Sequence, residues 1–217
     1  MQEVEFDWDR QQRTGVSEAV LCEGKTAQQI SDILSQANER QVSLLLTRLT
    51  PDQMPQYQQA FSNFEPDARS HTAVLNNGIG VPKPCDCLIV TAGSSDLKVA
   101  LEAQQTLRIN GLDVKVIADC GVAGLWRLTD KLDQLNSAPV IIAVAGMEGA
   151  LFPVLAGLVK GVVIAVPTSN GYGVATGGRV ALGSALSACS PGVVTVNIDN
   201  GFGAACALLK MRRPLST

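Results

Sequence analysis

Residues 163–206 read VIAVPTSNGYGVATGGRVALGSALSACSPGVVTVNIDNGFGAAC, and this stretch decides the fold. The apolar run that leads into it, VVIAVP, closes in Pro167, and glycines follow at 171, 173, 177 and 178. A small-residue helix is expected from Arg179 to Ala188, delivering Cys189 just before Ser190-Pro191-Gly192. A second apolar run, VVTVNI, ends at Asp199-Asn200-Gly201. Strand, glycine loop, helix, strand, glycine loop is the plan of an α/β crossover with a binding edge. Glycines at strand ends let backbone approach a ligand closely.

Working back toward the N-terminus, the same unit recurs. Cys87 to Thr91 reads as a strand, Ala92-Gly93-Ser94-Ser95-Asp96 as its turn, and Leu97 to Asn110 as a helix with Gly111 past its end. Val114 to Ala118 is the next strand, then Asp119-Cys120-Gly121 and a helix over about 124–135. Val140 to Val144 is a third strand, then Ala145-Gly146-Met147-Glu148-Gly149 and a helix to Val159. These strands are continuous apolar runs, as expected of a parallel sheet buried on both faces. The reading is a three-layer α/β/α domain over 71–217. Residues 1–70 are read as a small accessory βα segment: a polar arm over 1–14, strands at 20–23 and 42–47, and a helix opened by the capping box Thr26-Ala27-Gln28-Gln29.

Composition narrows the function classes. The chain has 217 residues, 46% hydrophobic and 17% charged, which excludes general disorder. A net charge of −3 gives no electrostatic case for nucleic acid or anionic membrane. The acidic start, MQEVEFDWDR, is unlike a signal peptide, and no apolar run reaches a membrane span. A soluble, cytoplasmic protein is expected. Its six cysteines, at 22, 85, 87, 120, 189 and 206, are then expected as thiols.

In parallel sheets ligands lie beyond the carboxyl ends of the strands. The turns there carry Ser94, Ser95 and Asp96; Asp119; Glu148; the 168–178 glycine loop; and Asn197 with Asp199. Ser94-Ser95-Asp96 suits a phosphate at a helix N-terminus, or plain N-capping. Glu148, in an apolar turn, suits an acid or base whose pKa is raised, or a dipole-favoured charge. Asp119 has the same two readings. Cys189 is a buried filler, a regulatory thiol or a nucleophile. Cys85-Asp86-Cys87 lacks zinc-knuckle spacing and reads as strand entry. His71, the one histidine, lies outside every strand-end turn.

Residues 86–211 resemble the aminoimidazole ribonucleotide (AIR) carboxylase-like family. Gly93-Ser94-Ser95-Asp96-Leu97 is similar to its phosphate-binding GSxSD, residues 145–159 to its AGG turn and following helix, and 166–205 to its last third. The purine enzymes carry Ser-Ala-His-Arg after the second strand. Here that place reads Ala118-Asp119-Cys120-Gly121-Val122-Ala123-Gly124, without histidine, and AGG becomes AGMEG. Those departures resemble the LarB family of nickel-pincer nucleotide cofactor biosynthesis. So do Arg13-Thr14-Gly15, Glu23-Gly24-Lys25-Thr26 and Asp199-Asn200-Gly201-Phe202-Gly203. Trp126 stands near a position where that family has histidine.

The resemblance implies a flavodoxin-like sheet, a homo-octamer and Mg2+, with no tightly bound organic cofactor. It implies nicotinic acid adenine dinucleotide (deamido-NAD) and CO2 or bicarbonate as substrates. The products are pyridinium-3,5-biscarboxylic acid mononucleotide and AMP, toward the lactate racemase cofactor. Expected catalytic residues are Cys189, Glu148 and Asp119. Expected substrate contacts are Gly93, Ser94, Ser95, Asp96, Gly121, Gly146, Thr168, Gly177 and Asn197, with Asp96 also the expected metal ligand. The missing Ser-Ala-His-Arg argues against a purine carboxylase or mutase. A non-catalytic mononucleotide-binding module is the remaining alternative.

Overall fold

The computed structural model describes residues 5–212. The first four residues of the expected arm lie outside them. The rest of the arm is anchored rather than loose: Phe6 and Trp8 pack against the first core, and the Arg40 guanidinium lies 4.9 Å over the Trp8 ring. A short helix, α1 (Arg10–Thr14), stops at Gly15, whose φ of 78° a side chain would strain. The Arg13-Thr14-Gly15 motif is thus a helix stop.

The N-terminal unit is a four-stranded mixed sheet of β1 (Ala19–Leu21), β2 (Leu44–Thr47), β3 (Phe64–Asp67) and β4 (Thr72–Leu75), ordered β1-β2-β4-β3. Helix α2 (Ala27–Glu39) covers one face with Ile30, Ile33, Leu34 and Ala37. Its capping box forms as expected: Gln29 N–H donates to Thr26 Oγ1 at 3.2 Å, and Thr26 N–H to Gln29 Oε1 at 3.0 Å. Helix α3 (Met54–Ala60) adds the buried Tyr57. The hairpin β3–β4 was not legible. Pro66 lacks an N–H and sits on the edge strand, the one place a sheet tolerates it. β4 follows residue 70 yet belongs to this first sheet, so the hand-over between sheets lies between Leu75 and Lys83.

The second sheet is wholly parallel. Its strands are β5 (Lys83–Thr91), β6 (Leu112–Ile117), β7 (Val140–Ala145), β8 (Val162–Pro167) and β9 (Val193–Thr195), ordered β6-β5-β7-β8-β9, the doubly wound flavodoxin-like pattern. On one face Leu88, Val90, Ile141, Ala143, Val163 and Ala165 meet α5 (Trp126–Thr129), α6 (Leu132–Leu135), α7 (Leu151–Ala156) and α8 (Arg179–Leu186). On the other, Cys87, Ile89, Ile142, Val144, Ile164 and Val166 meet α4 (Leu97–Ile109) and α9 (Gly201–Met211). Three layers result, as expected.

The differences have local causes. Only β5, β7 and β8 are buried on both faces near their carboxyl ends; the edge strands β6 and β9 are partly exposed. β9 stops at Thr195 rather than 198, and the Asn197 side chain accepts the Ile198 N–H at 2.9 Å, a local bond that competes with pairing. The helix expected over 124–135 breaks into α5 and α6, although Leu128 and Leu135 still reach the core. Helix α9 begins within the glycine-rich turn at 199–203, where the sequence pattern marks only a loop. The Asn200 side chain caps it, accepting the Gly203 N–H at 2.8 Å.

Candidate functional site

Three turns at the carboxyl edge of the second sheet are knotted around Asn170. Its side-chain amide donates to Ser95 O at 2.9 Å and to Asp96 Oδ1 at 3.0 Å, while its backbone carbonyl accepts the Met147 N–H at 2.8 Å. Thr168, fully buried, donates to Asp96 Oδ1 at 2.7 Å, and Gly93 N–H donates to Asp96 Oδ2 at 3.0 Å. The turns after β5, β7 and β8 therefore hold one geometry before any ligand arrives. Sequence reasoning missed Asn170; its place two residues after Thr168, in the loop behind a buried strand, is the available signal.

A cleft of about 570 Å³ opens over this knot. Its walls are the turn 92–96, the segment 121–123, the turn 145–150 and the loop 170–172. Two glycines are required by contact. A Cβ on Gly146 would lie 2.2 Å from Asn170 O and 2.7 Å from Thr168 Oγ1; one on Gly121 would lie 2.8 Å from Ala92 O. Gly177 has open space around it, but its φ of 76° favours glycine. Asp119, Met147 and Asp199, each beyond a strand of this edge, hold left-handed φ of 59°, 52° and 54°. Non-glycine residues enter that region at a cost and collect at binding edges.

The expected site residues separate into groups. Gly93, Ser95, Asp96, Gly121, Gly146 and Glu148 line the cleft. Ser94 and Ser95 are exposed at the 3-10 turn that opens α4. Glu148 is exposed at the rim, so the apolar turn does not enclose it as expected. Asp119 is exposed beside the cleft and accepts from Arg127 Nη1 at 3.2 Å. Trp126 is exposed, with the Arg127 guanidinium 5.6 Å over its ring. Thr168 works through Asp96, and Asn197 is exposed away from the cleft walls.

Asp96 is buried, and its two oxygens accept three hydrogen bonds. It serves here as the tie between turns and does not fit the part of an open Mg2+ ligand. Among the described residues, the cleft gathers no cluster of three carboxylates, thiols or imidazoles. Cys85, Asp86 and Cys87 form the cluster that does occur, at the far end of β5. There Arg212 bonds Asp86, and burial pushes the Cys87 thiol up to about 12, which disfavours the thiolate a metal needs.

Cys189 lies at the opposite edge. It follows the end of α8; Ser190 Oγ donates to Pro153 O at 2.8 Å, and Gly192 O accepts from Val163 N–H at the start of β8. The cleft lies past the other end of that six-residue strand. At about 3.3 Å per residue the two edges are roughly 17 Å apart. Cys189 is exposed, so it is no core filler.

Comparison with known proteins places both units. Residues 1–77 match the LarB/PurE-like N-terminal domain, and residues 86–213 match AIR carboxylase. The uncharacterized protein MJ0165 of Methanocaldococcus jannaschii is 37% identical over 209 residues, spanning 93% of this chain and 80% of the relative. No helix among the described residues is long and apolar enough to cross a membrane. The two matches lie on the two sheets in chain order, and with the doubly wound sheet they make this chain a LarB-like member of the AIR carboxylase family.

Proposed function

We propose that this carboxylase-family protein converts deamido-NAD and CO2 or bicarbonate into pyridinium-3,5-biscarboxylic acid mononucleotide and AMP. The observation that carries the reading is the cleft knotted by Asn170. Ser95, at a helix start, and a carboxylate, Glu148, both line it, with Ser94 exposed beside Ser95, and the turn after β6 has no histidine. Ser94 and Ser95 offer hydroxyl and backbone donors to a phosphoryl oxygen. Glu148 is placed to take a proton at the rim.

The chemistry needs a nucleophile. A pyridinium ring is too electron-poor for C5 to attack CO2. A thiolate that adds to a ring carbon conjugated with nitrogen leaves a dihydropyridine, whose enamine makes C5 nucleophilic. C5 bonds to CO2, its proton passes to the base, and the C–S electron pair returns to sulfur as the ring regains its charge and aromaticity. Water then attacks phosphorus and AMP leaves. Mg2+ belongs in this reading to the substrate's diphosphate. Cys189 is the nucleophile assigned, with Asp119 a second acidic group beside the cleft.

Because Cys189 and the cleft occupy opposite edges of one chain, the reading requires a second copy to bring its thiol to the site, in a homo-octamer by the resemblance. The apolar side chains left exposed on the glycine loop and α8 support this. Tyr172 is 78%, Val174 92% and Leu186 71% exposed.

The test is incubation with deamido-NAD, bicarbonate and Mg2+, with mass spectrometry of the products. AMP and a carboxylated mononucleotide are expected. AMP without carboxylation would reduce the protein to a hydrolase, and turnover of aminoimidazole ribonucleotide instead would make it a purine enzyme.

A further inference from the structure

A second hollow continues the cleft across the joint between the two units. Ser95 and Asn170 line both, so the spaces meet at the Asn170 knot. The second is small, about 110 Å³, and brings Arg48 from the N-terminal unit against Lys98 and Glu102 of α4. Through Arg48 and Lys98 it joins a third, larger hollow of about 420 Å³, bounded by Gly24, Lys25 and His71 of the N-terminal unit. A small neck that carries two cations and two carboxylates thus separates two roomier spaces.

The charges in the neck are unequally committed. Glu102 is buried and its Oε2 accepts the Phe202 N–H at 3.2 Å. The Asp199 carboxylate accepts the Ser169 N–H at 2.8 Å. Both acids are therefore engaged with backbone. Lys98 is exposed and has no ion-pair partner among the described residues. Arg48 Nη2 donates to Asp199 O at 2.6 Å, but its nearest carboxylates, Glu23 and Glu102, lie at 3.9 Å. Lys98 also helps hold the neighbouring His71 below its ordinary pKa, after the larger effect of burial. Cations with spare donors in a narrow passage suit a phosphoryl group.

We propose that this groove binds the adenylate half of the dinucleotide, with its phosphoryl group between Arg48 and Lys98 and its nucleoside in the hollow beside Lys25 and His71. The inference rests on the dinucleotide reading above. It gives the N-terminal unit a definite part: it holds the half of the substrate that leaves.

The experiment is calorimetry on the full chain with the two halves offered separately, AMP and nicotinic acid mononucleotide. Lys98→Gln weakens AMP about tenfold, the loss of one charge-assisted hydrogen bond, and leaves the mononucleotide within about twofold. Lys98→Arg keeps AMP within about threefold, and Lys25→Gln weakens it by a similar factor. Equal AMP affinity in wild type and Lys98→Gln overturns the proposal. So does an equal loss for both halves, or a wild type that does not bind AMP. Lys98-dependent AMP binding without turnover of deamido-NAD removes the catalytic reading and leaves the groove a nucleotide site. Turnover with AMP binding indifferent to Lys98 does the reverse.

Discussion

The two edges of the parallel sheet are built in opposite ways. At the carboxyl edge every turn is tied to its neighbour: Asn170 joins three of them, Asp96 is buried beneath, and three residues hold left-handed backbone. At the amino edge the connection after α8 is held by Ser190 and Gly192, and Cys189 stands exposed with nothing enclosing it. The first edge is tied into one geometry around a cleft; the second presents an exposed thiol outward. An edge that positions and an edge that offers chemistry become one site only when two copies meet, under the function proposed here.

The largest expected effect tests that union. Cys189→Ser loses carboxylation by at least about a thousandfold, the scale seen when a covalent nucleophile is removed, while the fold and dinucleotide binding persist. Glu148→Gln fails at the other edge. Co-expressed in one assembly, the two inactive variants regain measurable activity, because some interfaces pair an intact Cys189 with an intact Glu148. Mixed assemblies that form but stay silent would break the two-edge account, and an active Cys189→Ser enzyme would end the nucleophile assignment.

The next effect contrasts two glycines. Gly146→Ala forces a Cβ to within 2.2 Å of Asn170 O, a backbone atom that cannot step aside without opening the knot. Destabilisation of about 3 kcal/mol is expected, with loss of phosphate-side binding. Gly183, inside α8, has nothing within 4 Å of its would-be Cβ. Gly183→Ala in the isolated chain is expected to stabilise by about 0.5–1 kcal/mol through helix propensity. Thermal melts of both variants decide the matter, and equal melting temperatures would mean that the knot carries no strain.

What the sequence made legible follows the same division. Apolar runs bounded by glycine turns identify β5, β7 and β8 and hence the cleft, because runs this short and rich in Val and Ile suit buried strands rather than helices. The hairpin at 64–75 was obscured by Glu65-Pro66-Asp67, residues poor in strand propensity that pairing with β4 overrides. Asp96 is a buried tie, and a carboxylate that holds neighbouring turns together looks the same in sequence as one aimed at a metal. Cys189 falls at the amino edge for a topological reason that its spacing in the sequence does not advertise. A helix that leaves the carboxyl end of one strand must return its chain to the amino end of the next, and the glycine loop before α8, not the cysteine after it, marks the ligand side.

A smaller effect concerns the joint between the units. Burial raises the Glu102 pKa above its ordinary value, with the Arg48 charge opposing. A raised folded-state pKa gives a stabilising contribution that is complete below the unfolded value, about 4.3, and is lost as pH rises through the folded one. The melting-temperature advantage of wild type over Glu102→Gln should therefore shrink from pH 4 upward and then level off. A difference independent of pH would place the carboxylate in water rather than in the joint.

The smallest effect is expected at the thiols that the sheet and helices enclose. Burial pushes Cys22 up to about 12 and Cys206 up to about 11, and raises Cys120 as well. At neutral pH these groups stay protonated, and a thiol attacks electrophiles far more slowly than a thiolate. Cys22→Ala removes one well-packed sulfur and costs about 1 kcal/mol, with turnover unchanged. Cys206→Ala, on the partly exposed side of α9, costs less. Cys189 differs in being exposed at the amino edge, so iodoacetamide on the native protein should modify it well before Cys22, Cys120 or Cys206. Peptide mapping after brief alkylation reads the order directly. If assembly covers Cys189, deamido-NAD and alkylating agent should compete for it, whereas a thiol labelled at the same rate with and without the dinucleotide does not lie in the ring site.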